Sequence, residues 1–383
     1  MSQAFDKLIK KVKDKAPTVI GDGSKPSIVW AEVESPQVTY MLGGGIPLGR
    51  ILRFRGPSSA GKSAFCNYLA GTLQREVPAL TGNPDQNKLI YIDFERTFER
   101  RFATSVGVLT DDEHFVHLKP ETIEDAAEIL DELVKTGEIA AIIFDSDAAA
   151  PTRTQMTDEF GRATFGGAAK ALSEFLRKFN ILCADRLTTM LIISQERANM
   201  KPMSHLPAAT GGEALPFYSS IICRITKTDD IKDANGIIGS EIRVRNMKNK
   251  CSIPFRDANM KLYYDGGFKS DEEYVDFLLS LGYMVQKGAY FQFDYGGEHF
   301  SLQGRQKLMD WLTEHADAYE KWKKEIKAKL SGYVEELDSN NYAVNEETGE
   351  ALNAIDAEKA AAYAKQTTGA APTESKDEGE GDD

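Results

Sequence analysis

The sequence predicts an α/β protein: a mainly parallel, twisted sheet covered by helices, with a short helix before it and a smaller α/β unit after it. Three observations carry that prediction. Apolar runs that end in a polar residue alternate with segments of helical period: 88–94 (KLIYIDF), 140–144 and 189–193 read as strands. Residues 121–135 and 168–182 place Ile123, Ala126 and Leu130, or Leu172, Phe175 and Phe179, along one helical face. A glycine-bounded loop joins the apolar run Ile51, Leu52, Phe54 to a helix that carries Phe65, Tyr68, Leu69 and Leu73. Strands alternating with helices of this length imply parallel pairing with both faces of the sheet covered.

That loop, GPSSAGKS, puts Gly56, Gly61, Lys62 and Ser63 in phosphate-loop spacing. Backbone N–H groups at the start of a helix make an anion cradle, and glycine lets the chain turn tightly and come close to phosphate. Lys62 is positioned by this spacing for the β- and γ-phosphates, and the Ser63 hydroxyl for Mg²⁺. A glycine-rich turn that merely precedes a helix is the alternative. It does not need the strand, both glycines, Lys and Ser together.

The chain has 383 residues, enough for two or three units. Its formal charge of −13 speaks against a polyanionic partner at first sight. Glu374, Asp377, Glu378, Glu380, Asp382 and Asp383 hold much of that charge at the carboxyl end, so basic loops elsewhere keep their capacity for phosphate. Cys66, Cys183, Cys223 and Cys251 are scattered without CxxC pairing, which predicts free thiols in a reducing, cytoplasmic setting. No apolar run approaches membrane length, and the segment FDKLIKKVKDK lacks a signal-peptide core.

Residues 2–16 read as a short basic helix with an apolar stripe of Phe5, Leu8, Ile9 and Val12, followed by a Pro/Gly linker. Residues 221–226 and 241–245 predict an antiparallel pair at the sheet edge. After 265 the pattern becomes small and mixed, with helices at 272–281, 305–314 and 319–330 and a hairpin at 283–293. Beyond 332 apolar periodicity fades, and the acidic end reads as disordered. The division is 1–26, 27–265, 266–332 and 333–383.

Ligands of such sheets bind outside the carboxyl ends of the strands. Asp145 ends IIFD, in position to hold Mg²⁺, although a helix-capping Asp after a strand is common. Glu95 follows YIDF, in position to activate a water that attacks the γ-phosphate; a surface ion pair is the plain alternative. Gln195 ends LIIS, where any polar residue is expected. Two long loops follow, 158–167 with Arg162 and Phe165, and 196–212 with Arg197, Met200, Lys201 and Met203. Basic side chains there suit phosphates and apolar ones suit wedging between bases; a solvated surface loop is the alternative.

Taken in order, eight segments carry a resemblance: GGGIPLGR (43–50), GPSSAGKS (56–63), YIDFE (91–95), IIFDS (142–146), IISQ (192–195), TGGEALPFYSS (210–220), GSEIRVRNMKNKCSIPF (239–255) and GGFKSDEEYVDFLLSLG (266–282). Through residues 27–330 the chain resembles the RecA-type recombinases, including their phage UvsX-like members. The resemblance implies a RecA-type ATPase core and a DNA-dependent ATPase that forms a helical filament on single-stranded DNA, pairs it with homologous duplex and exchanges strands. It implies ATP and Mg²⁺ between neighbouring subunits, held by Gly56, Pro57, Ser58, Ser59, Ala60, Gly61, Lys62, Ser63, Ala64 and Asp145. Phe102 matches the adenine-stacking aromatic and Glu99 the acidic position beside the adenine amine. Gln195 would couple the γ-phosphate to the second DNA loop, and Lys248 and Lys250 would reach a neighbour's γ-phosphate. The loops become the DNA-binding segments, with Arg162, Phe165, Lys170, Arg197, Met200, Lys201, Met203, Gly211 and Gly212 as contacts. The basic helix matches a subunit-docking segment and the acidic end a self-inhibitory tail. Mediator and single-strand-binding proteins are further implied partners; a membrane is not.

Ser58 and Ala60 stand where bacterial members usually carry Glu and Ser, Lys170 where Arg is usual, and the second loop lacks its central Phe. These departures point to a divergent, phage-encoded member. A ring helicase on the same core would need a different amino-terminal domain and an arginine finger. An ATP-switched DNA-binding filament with incidental hydrolysis would not need Glu95, and a small-molecule kinase would need a lid and an acceptor pocket.

Overall fold

The computed structural model describes residues 28–157, 167–197, 208–209 and 214–339. The expected amino-terminal helix, the contacts Arg162, Phe165, Met200, Lys201, Met203, Gly211 and Gly212, and the acidic end lie outside the described residues.

The chain enters through a ribbon of β1 (Trp30–Ala31) and β2 (Ile46–Pro47) that brackets α1 (Pro36–Leu42). Ser35 caps α1 by accepting from the Val38 N–H, and Gly43, at φ +92°, ends it in the left-handed conformation. Then follow β3 (Ile51–Gly56), α2 (Lys62–Thr81), β4 (Lys88–Asp93), α3 (Arg100–Ser105), β5 (Phe115–Leu118), α4 (Ile123–Lys135), β6 (Ile139–Asp145), α5 (Arg153–Thr157), α6 (Gly167–Arg186) and β7 (Thr189–Arg197). After β8 (Ala208–Ala209) and α7 (Ala214–Tyr218) come β9 (Ile221–Asp233), β10 (Gly236–Asn249), β11 (Asp257–Tyr263) and β12 (Gly267–Phe268).

The central sheet runs β12-β11-β10-β9-β3-β7-β6-β4-β5, parallel from β9 to β5 and antiparallel beyond β9, with β8 paired to β7. Alternate residues of its strands divide between two cores. Leu52, Phe54, Tyr91 and Ile193 pack with Phe65, Leu69 and Leu73 of α2; Ile51, Ile90, Ile142 and Ile192 pack with Leu130 and Val134 of α4 and Phe175 and Phe179 of α6. The mainly parallel, helix-covered sheet is as the sequence predicts. The β9–β10 pair is antiparallel as expected, but it does not sit at the edge. β9 pairs with β3 on one side, and β11 and β12 continue the sheet beyond β10. Both strands run well past the predicted apolar stretches, because cross-strand hydrogen bonds carry an exposed ribbon that no apolar pattern announces.

A second, three-stranded antiparallel sheet, β13 (Val285–Lys287), β14 (Tyr290–Tyr295) and β15 (Glu298–Gln303), packs with α8 (Ser270–Ser280), α9 (Arg305–Glu314) and α10 (Ala316–Ser339). Its aromatic core stacks Phe293, Phe300, Trp311 and Trp322 around one another. The four cysteines are free and buried. Among the described residues no helix is long and apolar enough to cross a membrane.

At the seam between α8 and α1, the buried Glu273 accepts a 2.5 Å hydrogen bond from Ser35 Oγ, while the Ser35 N–H donates to Tyr68 OH at 3.1 Å. Burial pushes the Glu273 carboxyl up to about 8, against the hydrogen bonds from Ser35 and the Gln37 backbone. The folded state therefore keeps a proton that the unfolded chain releases, so this group's contribution falls as pH rises from the ordinary glutamate value towards 8. Glu273→Gln should remove that dependence. Above pH 8 the variant should melt higher than the parent, by an amount on the order of 3–5 kcal/mol, and near pH 4 the two should match. Thermal melts of both proteins across that range are the check.

Candidate active site at the carboxyl ends of the central strands

β3 is hydrogen-bonded on both edges, to β7 and to β9, so the loop that leaves its carboxyl end starts from a fixed point. Gly56 is required there: a Cβ at this position would lie 2.1 Å from the Ile225 carbonyl oxygen. Ser59 at φ +58° and Gly61 at φ +87° then fold the loop back onto the first turn of α2. Ala60 and Ala64 are buried beneath it, while Pro57, Ser58 and Ser59 are exposed. The Lys62 ammonium is buried and donates to Gly56 O at 3.1 Å and Pro57 O at 2.6 Å, carbonyls of its own loop. Burial lowers its pKa, and the nearby Asp145 and Glu95 carboxylates oppose that shift.

The acidic side comes from β4 and β6. Asp93 and Asp145 are register partners, and the Phe94 N–H continues the ladder to Asp145 O at 2.8 Å, which brings Glu95 level with the end of β6. Asp93 Oδ1 and Oδ2 accept from the Thr97 and Phe98 N–H groups, each at 3.2 Å, and so fix the turn that carries Glu95. Asp145, itself buried, accepts from Tyr91 OH at 2.6 Å and Ser63 Oγ at 3.3 Å. Burial raises its pKa to about 6, with Glu95 adding to the rise and the Tyr91 and Ser63 hydrogen bonds opposing it. Glu95 Oε1 accepts from Gln195 Nε2 at 2.8 Å and from Ser146 Oγ. A hydroxyl and a carboxylate side by side, next to an anion cradle and a buried ammonium, form the hard-oxygen set that suits Mg²⁺ on a phosphate.

The structure thus brings together the phosphate loop, Asp145, Glu95 and Gln195. Phe102 lies close by, packed with Ala64, Val106 and Leu262, and the exposed Glu99 precedes α3. Lys170 is exposed on the first turn of α6, and Arg197 ends β7 opposite Ala208. Lys248 and Lys250 are elsewhere. Lys248 is level with Ile222 and Arg53, at the far end of the strands from the loop, roughly 10 Å along the sheet and two strand spacings across it. There Lys248 Nζ donates to Pro216 O and Lys250 Nζ to Phe217 O at 2.9 Å. Tyr91 and Asp93 have no role in the sequence reading, and Ser146 reads there only as a helix cap beside Asp147. The alternation of Tyr91 and Asp93 with apolar Ile90 and Ile92 in an otherwise buried strand was the available signal.

The signature of the RecA N-terminal domain matches residues 1–269. The chain belongs to the RecA family. It is 31% identical to Protein RecA of Frankia casuarinae over 326 residues, 85% of this chain and 90% of that protein. It is 32% identical to Protein RecA 1 of Myxococcus xanthus over 311 residues, 81% and 87% of the two chains. Protein RecA of Teredinibacter turnerae is also 32% identical, over 317 residues, 82% and 88%. This RecA-family chain is an ATP-dependent DNA recombinase, a DNA-dependent ATPase that uses ATP with Mg²⁺ and assembles on DNA as a filament of its own copies.

Because the Gly56 cradle is closed by a backbone carbonyl, Gly56→Ala should lose at least about 2 kcal/mol of stability together with nucleotide affinity. Denaturant titration and binding of a fluorescent ATP analogue test this; a folded Ala variant with parental affinity contradicts it.

Proposed function

We propose that recombination by this chain runs on ATP bound at a subunit interface, with Gly56–Ser63 and Ala64 cradling the phosphates, Ser63 and Asp145 holding Mg²⁺, and Glu95 as the general base. The hydrogen bond from Gln195 to Glu95 carries this reading. It links Glu95, whose charge together with that of Asp145 acts on Lys62, to the strand that leads into the 198–207 segment. Mg²⁺ held by Ser63 and Asp145 would neutralise phosphate charge as it develops. The chain's own residues do the rest. Lys62 exchanges the carbonyls of its loop for phosphate oxygens, Glu95 orients and deprotonates water, and Gln195 reports γ-phosphate to the second DNA segment.

Phe102 and Glu99 serve as the adenine wall, a reading supported by the packing of Phe102 against Ala64. Lys248 and Lys250 act in trans. Their place at the far end of β10, away from the loop of their own chain, supports this. Arg162, Phe165, Lys170, Arg197, Met200, Lys201, Met203, Gly211 and Gly212 are the proposed DNA contacts, with one methionine as the wedge. Residues 27–265 form the ATPase and DNA-binding core, 266–332 the small unit, and the flanks the docking helix and acidic extension. The setting is cytoplasmic, in a bacterial cell or a phage-infected host, and mediator and single-strand-binding proteins are the proposed helpers. Ser58, Ala60 and Lys170 support a divergent, phage-type member.

The test is ATP hydrolysis with and without single-stranded DNA, run beside strand exchange with homologous duplex. Stimulation with exchange is expected; stimulation with directional unwinding and no pairing would favour a ring helicase instead. Glu95→Gln should keep ATP binding and filament assembly and slow turnover by ~10²–10⁴-fold. Undiminished hydrolysis removes Glu95 from the base role. Replacing both Lys248 and Lys250 by Ala should spare nucleotide binding and abolish DNA-stimulated turnover, and persistence of that turnover excludes action in trans.

A further inference from the structure

The phosphate-loop strand β3 carries two arginines among its apolar residues. Strand alternation turns Arg53 and Arg55 away from α2, onto the face that Ser194 and Glu196 of β7 share with Arg224 of β9. Arg53, 1% exposed, donates from Nε to Ser194 Oγ at 2.8 Å and pairs with Asp147 Oδ2 at 3.4 Å. The Glu196 carboxylate, 3% exposed, takes a forked pair from Arg224, Nε at 3.0 Å and Nη2 at 2.9 Å, with Arg55 Nε at 3.4 Å. Gln195 lies between these two anchored residues and faces the other way, onto Glu95. Asp147 stands two residues beyond Asp145, so the same ladder also reaches the end of β6.

Cohesion does not require these charges. The backbone ladder from Ile51↔Met190 to Gly56↔Gln195 is unbroken, and apolar side chains would pack such a face with no desolvation penalty. Burial indeed lowers the pKa of Arg53, against the pull of Asp147. Forked hydrogen bonds give what apolar packing does not: direction. They fix the rotation and height of β7 where its pairing with β8, Glu196↔Ala209 and Arg197↔Ala208, closes the base of the second DNA segment.

We propose that Arg53, Arg55 and Arg224 are positioning residues: by gripping Ser194 and Glu196 they hold Gln195 against Glu95 and tie the base of the second DNA segment to the phosphate-loop strand. The inference rests on the reading of Gln195 as the coupling residue.

Full-length Glu196→Gln, Arg224→Gln and the double variant, beside Gln195→Ala, decide it. ATP KM and kcat are measured without DNA and across a titration with a single-stranded oligothymidylate, and thermal melts verify folding. Expected for the Glu196 and Arg224 variants are ATP KM and DNA-free turnover within about twofold of the parent, a DNA-stimulated kcat about tenfold lower, and a higher half-stimulating DNA concentration. The double variant should be no worse than either single one, because both remove the same contact. Arg55→Lys, at a partly exposed position, keeps the charge and should lose less stimulation. Parental stimulation in both single variants, losses that add in the double, or a fall in ATP affinity equal to the fall in kcat overturns the proposal. If Gln195→Ala alone keeps full stimulation, the reading of Gln195 fails; if it loses stimulation while the Glu196 and Arg224 variants keep it, only the anchoring role fails.

Discussion

A buried ammonium has to be met by oxygen, and in this chain the oxygens that meet Lys62 are the carbonyls of Gly56 and Pro57. Much of the site follows from that requirement. The loop must curl until its own carbonyls reach its own lysine, which brings Ser59 and Gly61 into left-handed conformations and lays Gly56 against the Ile225 carbonyl. The charge must also be balanced, and Asp145 and Glu95 supply the balance from strands that are not neighbours of β3. Phosphate entering such a cradle exchanges one set of oxygens for another around an ammonium already stripped of water, so little rearrangement is needed.

The sheet order explains how distant residues meet. β7 lies between β3 and β6, and the crossover that follows the loop carries the chain over β7 and β6 to β4 on their far side. Helix α2 spans that gap, and its first turn presents Ser63 to Asp145 from above the strand that separates them. The connection that leaves β3 runs towards the β5 edge and the one that leaves β7 leads to β9 on the other side, so the two part between these neighbours and open the crevice where ligands of such sheets sit.

Most of the core could be read from the sequence because its signals were local. The phosphate loop, the strand ends at Asp145, Glu95 and Gln195, and the apolar stripes of α4 and α6 each declare themselves within a few residues. What escaped reading depends on partners far along the chain. Arg53 and Arg55 look like breaks in a strand until Ser194, Asp147 and Glu196 arrive beside them. Tyr91 looks like one more buried aromatic until Asp145 accepts its hydroxyl. The lengths of β9 and β10 are not legible in the sequence, because an exposed ribbon such as 227–237 is held by its backbone pairing while most of its side chains are polar. The same hairpin was placed at an edge for want of any sign that β11, a mixed run of apolar and polar residues, would extend the sheet.

The two ends of the central sheet have a bearing on how copies of this chain can meet. One edge is β5, four residues long, and the other is β12, two residues long. Strands so short offer few backbone groups of their own, and the Gln37 side chain takes up the Asn259 N–H on the stretch of β11 that β12 leaves uncovered. A chain that polymerises on a template has reason to limit main-chain pairing from one molecule into the next: unrestricted sheet extension would proceed without DNA and without regard to nucleotide. Among the described residues a neighbouring strand can therefore add only a short ladder at either edge, which leaves most of any contact between copies to side-chain surfaces, whose fit can change with the contents of the site.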